Sequence, residues 1–175
     1  SQHGVHRVLL VGGDEPRPQG PFADSVQVLE QGLLRECGIR EIGVAGYPEG
    51  HPRIPLNGLE KALQRKLDLA REQGIGAYLV TQFCLSPQRV VDYCAGLARQ
   101  RPDLPVYAGI AGPTDPLALA RYAQRCGVSV SLRALRTLGA GIAKLVTHGD
   151  PQEQLVALAR YAPIRGQSLV VGVHV

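Results

Sequence analysis

Short apolar runs rich in β-branched residues alternate along the chain with longer stretches whose apolar positions recur at helical spacing. The runs are Val8 to Val11, Ile42 to Ala45, Tyr78 to Val80, Val106 to Ile110 and Ser168 to Val173. Between the first two, Ala23 to Cys37 carries Val26, Leu29, Leu33 and Leu34 on one helical face; after the second, Leu59 to Glu72 carries Leu59, Leu63, Leu67 and Ala70. Pro87 to Gln100 and Pro116 to Arg125 read as further helices, each with proline in the first turn, where its missing N–H is harmless. Two more helices are predicted near Leu132 to Val146 and Glu153 to Tyr161. Gly38, Gly74 and Gly127 stand where a helix would end in a left-handed residue. Nearly continuous apolar strands separated by amphipathic helices predict parallel strands covered on both faces. Such a rhythm suits a doubly wound sheet or a stretch of a (β/α)₈ barrel, and in both the chemistry belongs to the loops after the strand C-termini. By the right-handed crossover rule, Ser168 to Val173 is expected to pair in parallel with Val106 to Ile110.

With 175 residues, 45% of them hydrophobic, the chain is expected to form one domain, residues 1–175, around one ordinary core. The net charge of +4 is spread without a basic run or interleaved aromatics, which argues against a nucleic-acid partner and suits an anionic small ligand. Four cysteines, Cys37, Cys84, Cys94 and Cys126, form no C-x-x-C pair, so a zinc site or disulfide scaffold is not expected and a reducing, cytoplasmic setting is. No apolar run approaches a membrane span. The chain starts at Ser1, lacks Met and stops inside an apolar run, which reads as a segment of a longer protein.

The unusual residues lie in three of the loops. Gly12, Gly13 and Asp14 follow the first run directly, offering close backbone approach and a carboxylate at the strand's open end; the plain alternative is a turn with a capping Asp. No third glycine follows at dinucleotide-fingerprint spacing. The second loop, Gly46 to Pro52 (GYPEGHP), sets Tyr47, Glu49 and His51 among two glycines and two prolines, so its ring side chains have little entropy left to lose on binding. The third begins at Thr81, Gln82 and Phe83. A glutamine amide there can meet the amide edge of a heterocycle or merely bond to backbone. Cys84 beside it reads as a small buried hydrophobe. Arg65, Lys66 and Arg71 fit a solvated helix face, and Tyr122, taken alone, a core position. His3, His6, His148 and His174 have no partners at metal-ligand spacing.

Gly12 to Asp14, the segment Ile42 to Pro52 (IGVAGYPEGHP) and Val80 to Phe83, in that order and each at a strand end, resemble the methylenetetrahydrofolate reductase family over nearly the whole chain. The resemblance implies a (β/α)₈ TIM barrel, here incomplete with five βα units that match the fourth to eighth strands. It implies FAD across the strand C-termini, NAD(P)H as hydride donor, and reduction of 5,10-methylenetetrahydrofolate to 5-methyltetrahydrofolate. It places Asp14 catalytically, beside the flavin ring. Gly12, Gly13, Ala23, Tyr47 and His51 would contact the cofactor, and Arg65 and Lys66 its diphosphate, with Arg71 competing for that role. Gln82 would contact the pterin and, alternately, the nicotinamide; Tyr122 would pack on the folate. Partners implied are the folate and either a homo-oligomer or the missing barrel portion.

The chain departs from the family pattern in several places. The first three strands, with the family's catalytic glutamate, have no counterpart here, and Leu59, Ala62 and Ala118 replace polar ligand contacts. A divergent member that binds folate or another ligand without flavin turnover is therefore the alternative expectation.

Overall fold

Every predicted run among the described residues becomes a strand, and each strand pairs with the next one in the chain. The structure is a computed structural model that describes residues 3–12, 17–112, 115–128, 151–161 and 170–175. The strands are β1 (Arg7–Leu10), β2 (Glu41–Gly46), β3 (Gly76–Thr81), β4 (Val106–Gly109) and β5 (Val170–His174). All pairings are parallel and the order is β1-β2-β3-β4-β5. The expected parallel pairing of the last run with β4 is present, with a register irregularity between Val106 and Tyr107.

This sequential order is consistent with the second of the two expected architectures, a stretch of a barrel. A doubly wound sheet reverses its strand order at a switch point and carries helices on both faces. Here the described sheet has no reversal. Helices α1 (Ser25–Glu30), α3 (Leu56–Glu72), α4 (Pro87–Gln100) and α6 (Gln152–Tyr161) pack their Leu29, Leu63, Val90 and Leu158 into one core with Ile42, Val44, Leu79, Val106 and Ala108. The row Leu10, Val44, Leu79, Val106, Val170 runs straight across all five strands on that covered face. The expectation of cover on both faces is thus met on one face among the described residues. On the other, Leu9 remains 38% exposed and Tyr78 and Tyr107 are half-buried, their rings meeting edge to face at 5.5 Å.

The predicted helix Ala23 to Cys37 is broken into α1 and α2 (Leu33–Glu36). Gly32 supplies the break: it takes a left-handed φ of 71° and its N–H closes a turn onto the Leu29 carbonyl. Asp24 caps α1 by accepting from the Val26 and Gln27 amides, while Gln27 accepts from Ala23 N. The predicted helix Leu132 to Val146 lies outside the described residues.

A smaller core orients the upper part of the molecule. Helix α5 (Pro116–Arg125) sets Leu119 and Ala123 against Leu85, Ala111 and Val128, with Phe83 alongside, so the helix sits over the strand ends. Gly109 lets the end of β4 lie close against the end of β3, because a Cβ there would come 2.1 Å from the Thr81 carbonyl oxygen. Its N–H instead donates to Thr81 Oγ1 at 2.8 Å.

Candidate active site

The loop after β2 is built as its composition suggests. Pro48 follows Tyr47, and the Gly50 amide donates back to the Tyr47 carbonyl at 3.0 Å, with Gly50 at a φ of 82° that only glycine adopts readily. The turn brings Tyr47 and His51 edge to face, ring centroids 5.3 Å apart. His51 Nδ1 accepts from the Arg53 amide at 3.2 Å, so a neutral ring carries its proton on Nε2. Glu49 points the other way, inward, where Cys84 Sγ donates to its Oε1 at 2.7 Å. Burial, and then this carboxylate, push the Cys84 thiol far above the usual cysteine range, which keeps it protonated and inert. Cys84 is buried as expected, but as a clamp between two loops.

The loop after β3 carries Gln82 and Phe83. The Gln82 backbone amide donates to the Gly46 carbonyl at 2.7 Å, extending the β2–β3 ladder beyond the strands. Its side-chain amide donates to the Cys126 carbonyl at 3.0 Å, at the end of α5. That helix-terminal carbonyl has no intrahelical donor, so the bond anchors α5 to β3. One N–H is used this way; the amide has a second N–H and an acceptor oxygen. Phe83 stacks on Tyr122 with centroids 5.5 Å apart and planes 24° off parallel. Tyr122 is 59% exposed, which corrects the core position read from sequence. The apolar face of α5 is Leu119 and Ala123; Tyr122 lies one residue round from it, above the cleft.

These loops enclose a cleft of about 1070 Å³ at the C-terminal ends of the strands. Tyr47, His51, Gln82 and Tyr122 all line it, over an apolar floor that includes Val80, Ile110 and Ala111. The structure therefore brings together four of the residues singled out in sequence. It also brings in Arg53 and Arg125, which sequence reasoning had not used, and Phe83 and His174, which it had named without giving them a role in the site. Phe83 adjoins Gln82 in its motif and was within reach. The arginines stand alone in sequence, and both line the cleft where Pro52 packs on the end of α5.

Other singled-out residues are placed elsewhere. Gly12 is exposed at the end of β1, beside Val11 of the cleft wall; Gly13 and Asp14 lie outside the described residues. Ala23 is exposed, with its N–H held by Gln27. Arg65 is not brought to the cleft lining: it crosses to α1, 3.2 Å from Glu30, and comes within 3.9 Å of Glu72. Arg71 pairs with Asp68 at 3.3 Å on a solvated face. Lys66 is half-buried; burial lowers its pKa against an opposing pull from Asp24, the neighbour of Ala23. Lys66 and the Ala23 segment therefore share one locality, apart from the cleft lining. Leu59 lines a separate hollow between α3 and α4. Among the described residues, no cluster of His, Cys, Asp or Glu could hold a metal ion, and no helix is long and apolar enough to cross a membrane.

A family model described as methylenetetrahydrofolate reductase matches residues 1–144. Among curated proteins, methylenetetrahydrofolate reductase 2 of Saccharomyces cerevisiae is 26% identical over 137 residues, covering 73% of this chain and 22% of the yeast protein. The chain thus spans about a fifth of that relative's length, 22%. The matched stretch runs from β1 past α5 and contains the whole constrained loop, Gln82 and Tyr122. By that match over most of its length, the chain belongs to the methylenetetrahydrofolate reductase family.

Proposed function

We propose that the complete protein reduces 5,10-methylenetetrahydrofolate to 5-methyltetrahydrofolate with FAD as cofactor and NAD(P)H as hydride donor, and that this chain supplies the later part of a (β/α)₈ barrel. The observation that carries the reading is the convergence of Tyr47, His51, Gln82 and Tyr122 on one cleft at the strand C-termini. Family membership supports the reaction class. The sequential, singly wound sheet supports the barrel, since barrels are closed from such βα units. Its face away from the helices and its β1 and β5 edges, uncovered among the described residues, suit either the remaining barrel strands or, in a homo-oligomer, a second copy. Free thiols at all four cysteines suit a cytoplasmic setting.

The cleft fits a planar heteroaromatic group: its floor is apolar and its polar side chains stand at the edges. Bound flavin would supply the two-electron redox chemistry, passing hydride between nicotinamide and folate. The chain's own residues bind and orient. Tyr47 and His51, fixed by their turn, hold the flavin end of the cofactor with Gly12 and Gly13, while Ala23 lies with Lys66 toward its phosphate arm. Lys66, with Arg65, faces the diphosphate. Asp14, four residues after β1 in the sequence, is the carboxylate that the family resemblance assigns to tuning flavin reduction and folate activation. Gln82 offers donor and acceptor to the pterin or the nicotinamide in turn, and Tyr122 gives the folate a stacking surface.

The alternative, a folate-binding member without flavin turnover, is favoured by two particular observations. Leu59 lines a hollow apart from the cleft, and Arg65 is already engaged by Glu30. One experiment decides. The full-length protein, purified with excess FAD, should show flavin absorbance that NAD(P)H bleaches anaerobically and methylenetetrahydrofolate restores. A colourless protein that still binds folate would establish the alternative.

A further inference from the structure

We propose that Gln154, on α6, is a positioning residue for the cleft: it holds the main chain where three site-bearing segments meet, and so sets how Gln82 faces its ligands. This role rests on the functional reading above. It gives the site a support beyond residues 1–144, the stretch that the family model matches.

A glutamine is rarely this deep in a fold unless its amide is used. Gln154 is 4% exposed, on a helix whose Leu158 is seated in the main core. Its partners are main-chain carbonyls: Nε2 donates to Leu85 O at 2.8 Å and to Cys84 O at 3.1 Å. An amide nitrogen carries two N–H groups and carbonyls only accept, so both donors are spent on consecutive residues of one loop. Those residues follow β3 and precede α4, in neither a strand ladder nor a helix. Gln154 supplies from outside the donors that regular structure would otherwise give them.

The same two residues join the segments that carry the site. Cys84 Sγ donates to Glu49 Oε1 at 2.7 Å, tying in the loop of Tyr47 and His51. Leu85 is fully buried against Leu119 and Ala123 of α5, the helix that carries Tyr122. Gln82, two residues before Cys84, lines the cleft and bonds to the end of α5. Holding the Cys84–Leu85 main chain therefore sets Gln82 relative to the loop of Tyr47 and His51. Without the Gln154 amide, two carbonyls lose their donors and the segment shifts to recover them. A displacement of about 1 Å at a reacting edge costs rate out of proportion to stability.

The test compares the full-length protein with Gln154→Leu, which removes both donors at similar volume, and Gln154→Asn, which keeps the amide but withdraws it by a methylene. The first readout needs no cofactor: iodoacetamide labelling of the native protein, read thiol by thiol by mass spectrometry. Cys84 and Cys94 are both buried, but Cys94 lies within α4 and outside the held segment. Gln154→Leu should speed labelling of Cys84 about tenfold while Cys94 stays near wild type. The second readout is single-turnover reoxidation of reduced flavin by methylenetetrahydrofolate, per bound flavin. Its rate should fall about three- to tenfold in Gln154→Leu and less in Gln154→Asn. In a Gln82→Leu background the same change should slow the step by less than about twofold more, because the residue it acts through is gone. Equal acceleration at Cys84 and Cys94 with an unchanged rate makes Gln154 a stabilising residue only and overturns the role. Fully additive rate losses with Gln82→Leu overturn it too. Where Gln154→Leu does not fold, Gln154→Asn is scored by the same criteria. A working wild type whose folded variants keep the full rate overturns this role alone. A wild type without flavin turnover overturns it together with the functional reading beneath it.

Discussion

The two faces of the sheet teach different things about this chain. On the helix side, Ile42, Val44, Leu79, Val106 and Ala108 are fully buried and form one core with four helices. On the other side, the ladder passes from Leu9 through Gly43 to Tyr78, and from Ala45 through Val80 to Tyr107. There the cover is side chains of the sheet itself. Tyr78 and Leu9 lie so close over Gly43 that a Cβ would come 2.7 Å from the Tyr78 ring and 2.8 Å from Leu9. Arg7 sits over the Tyr78 ring and pairs with Glu41. The helix face is complete within the described residues. The other face is apolar and aromatic enough to be an interior, yet is left open among the described residues. The cleft lies where this open face meets the strand ends, which is why Leu9 and Val11 share its wall with His51 and Gln82.

Truncation on either face gives the largest and most direct test of that difference. Leu79→Ala on the helix face should destabilise the protein by about 2–5 kcal/mol, the usual range for a fully buried leucine. Leu9→Ala on the open face should shift stability by less than about 1 kcal/mol in this chain, because the removed methyls are already partly in water. Urea unfolding of both variants is the measurement. Equal losses would mean that the open face is closed in solution by a second copy. Repeating Leu9→Ala in the full-length protein sharpens the point: a loss that grows there is the signature of a closed barrel.

The next effect lies at the rim between the faces. His51→Ala in the full-length protein should weaken flavin retention by about 1–3 kcal/mol, read by equilibrium dialysis, as a lost polar contact does. Retention equal to wild type would leave His51 a structural role in its turn, through its bond to the Arg53 amide and its contact with Tyr47.

Much of this was legible in sequence because it is local. The strands follow from apolar runs, the helix ends from Gly38, Gly74 and Gly127, all at positive φ, and the constrained loop from its own prolines and glycines. Gly32 was legible in principle, but its helical neighbours hid the break that its left-handed φ imposes. What could not be read depends on residues far apart in the chain. Arg65 turns toward Glu30, Cys84 toward Glu49, and Gln82 toward Cys126, and no periodicity encodes such pairs. Tyr122 was misread for a related reason. Helical spacing says which residues share a face, but the small cluster of Leu119 and Ala123 determines which face turns inward.

Gln82 tests whether the cleft's polar edge is chemistry or scaffold. Gln82→Leu should slow reoxidation of reduced flavin by methylenetetrahydrofolate roughly ten- to a hundredfold in single turnover. Its bond to the Cys126 carbonyl adds a stability effect of about 1 kcal/mol, since α5 loses an anchor. A large drop in melting temperature with an intact rate in the folded fraction would make Gln82 an anchor only.

The smallest expected effect is a titration that again sets one face against the other. Tyr93, on α4 against the helix face, has its hydroxyl pushed up to about 12, chiefly by burial and against a hydrogen bond from the Tyr47 backbone. Tyr78, on the open face, is also raised by desolvation, but the Arg7 cation beside it pulls the other way. For Tyr93 the sign is definite. Unfolded tyrosine releases its proton near pH 10, while the folded residue holds it to about 12, so stability is unaffected below pH 10 and is lost as pH rises through that window. Cys94 on the same helix, raised to about 11 by burial, acts in the same direction from a lower starting point. Tyr93→Phe should therefore remove about 1–2 kcal/mol of the alkaline loss between neutral pH and pH 11, even if it lowers stability slightly at pH 7 by deleting the hydroxyl's bond. The measurement is urea unfolding at the two pH values for Tyr93→Phe, Tyr78→Phe and wild type. Tyr78→Phe should keep a pH dependence closer to wild type, because its ring lies on the open side. If the two variants flatten the pH dependence equally, the faces are alike in solvation, and the contrast between a finished and an open face fails.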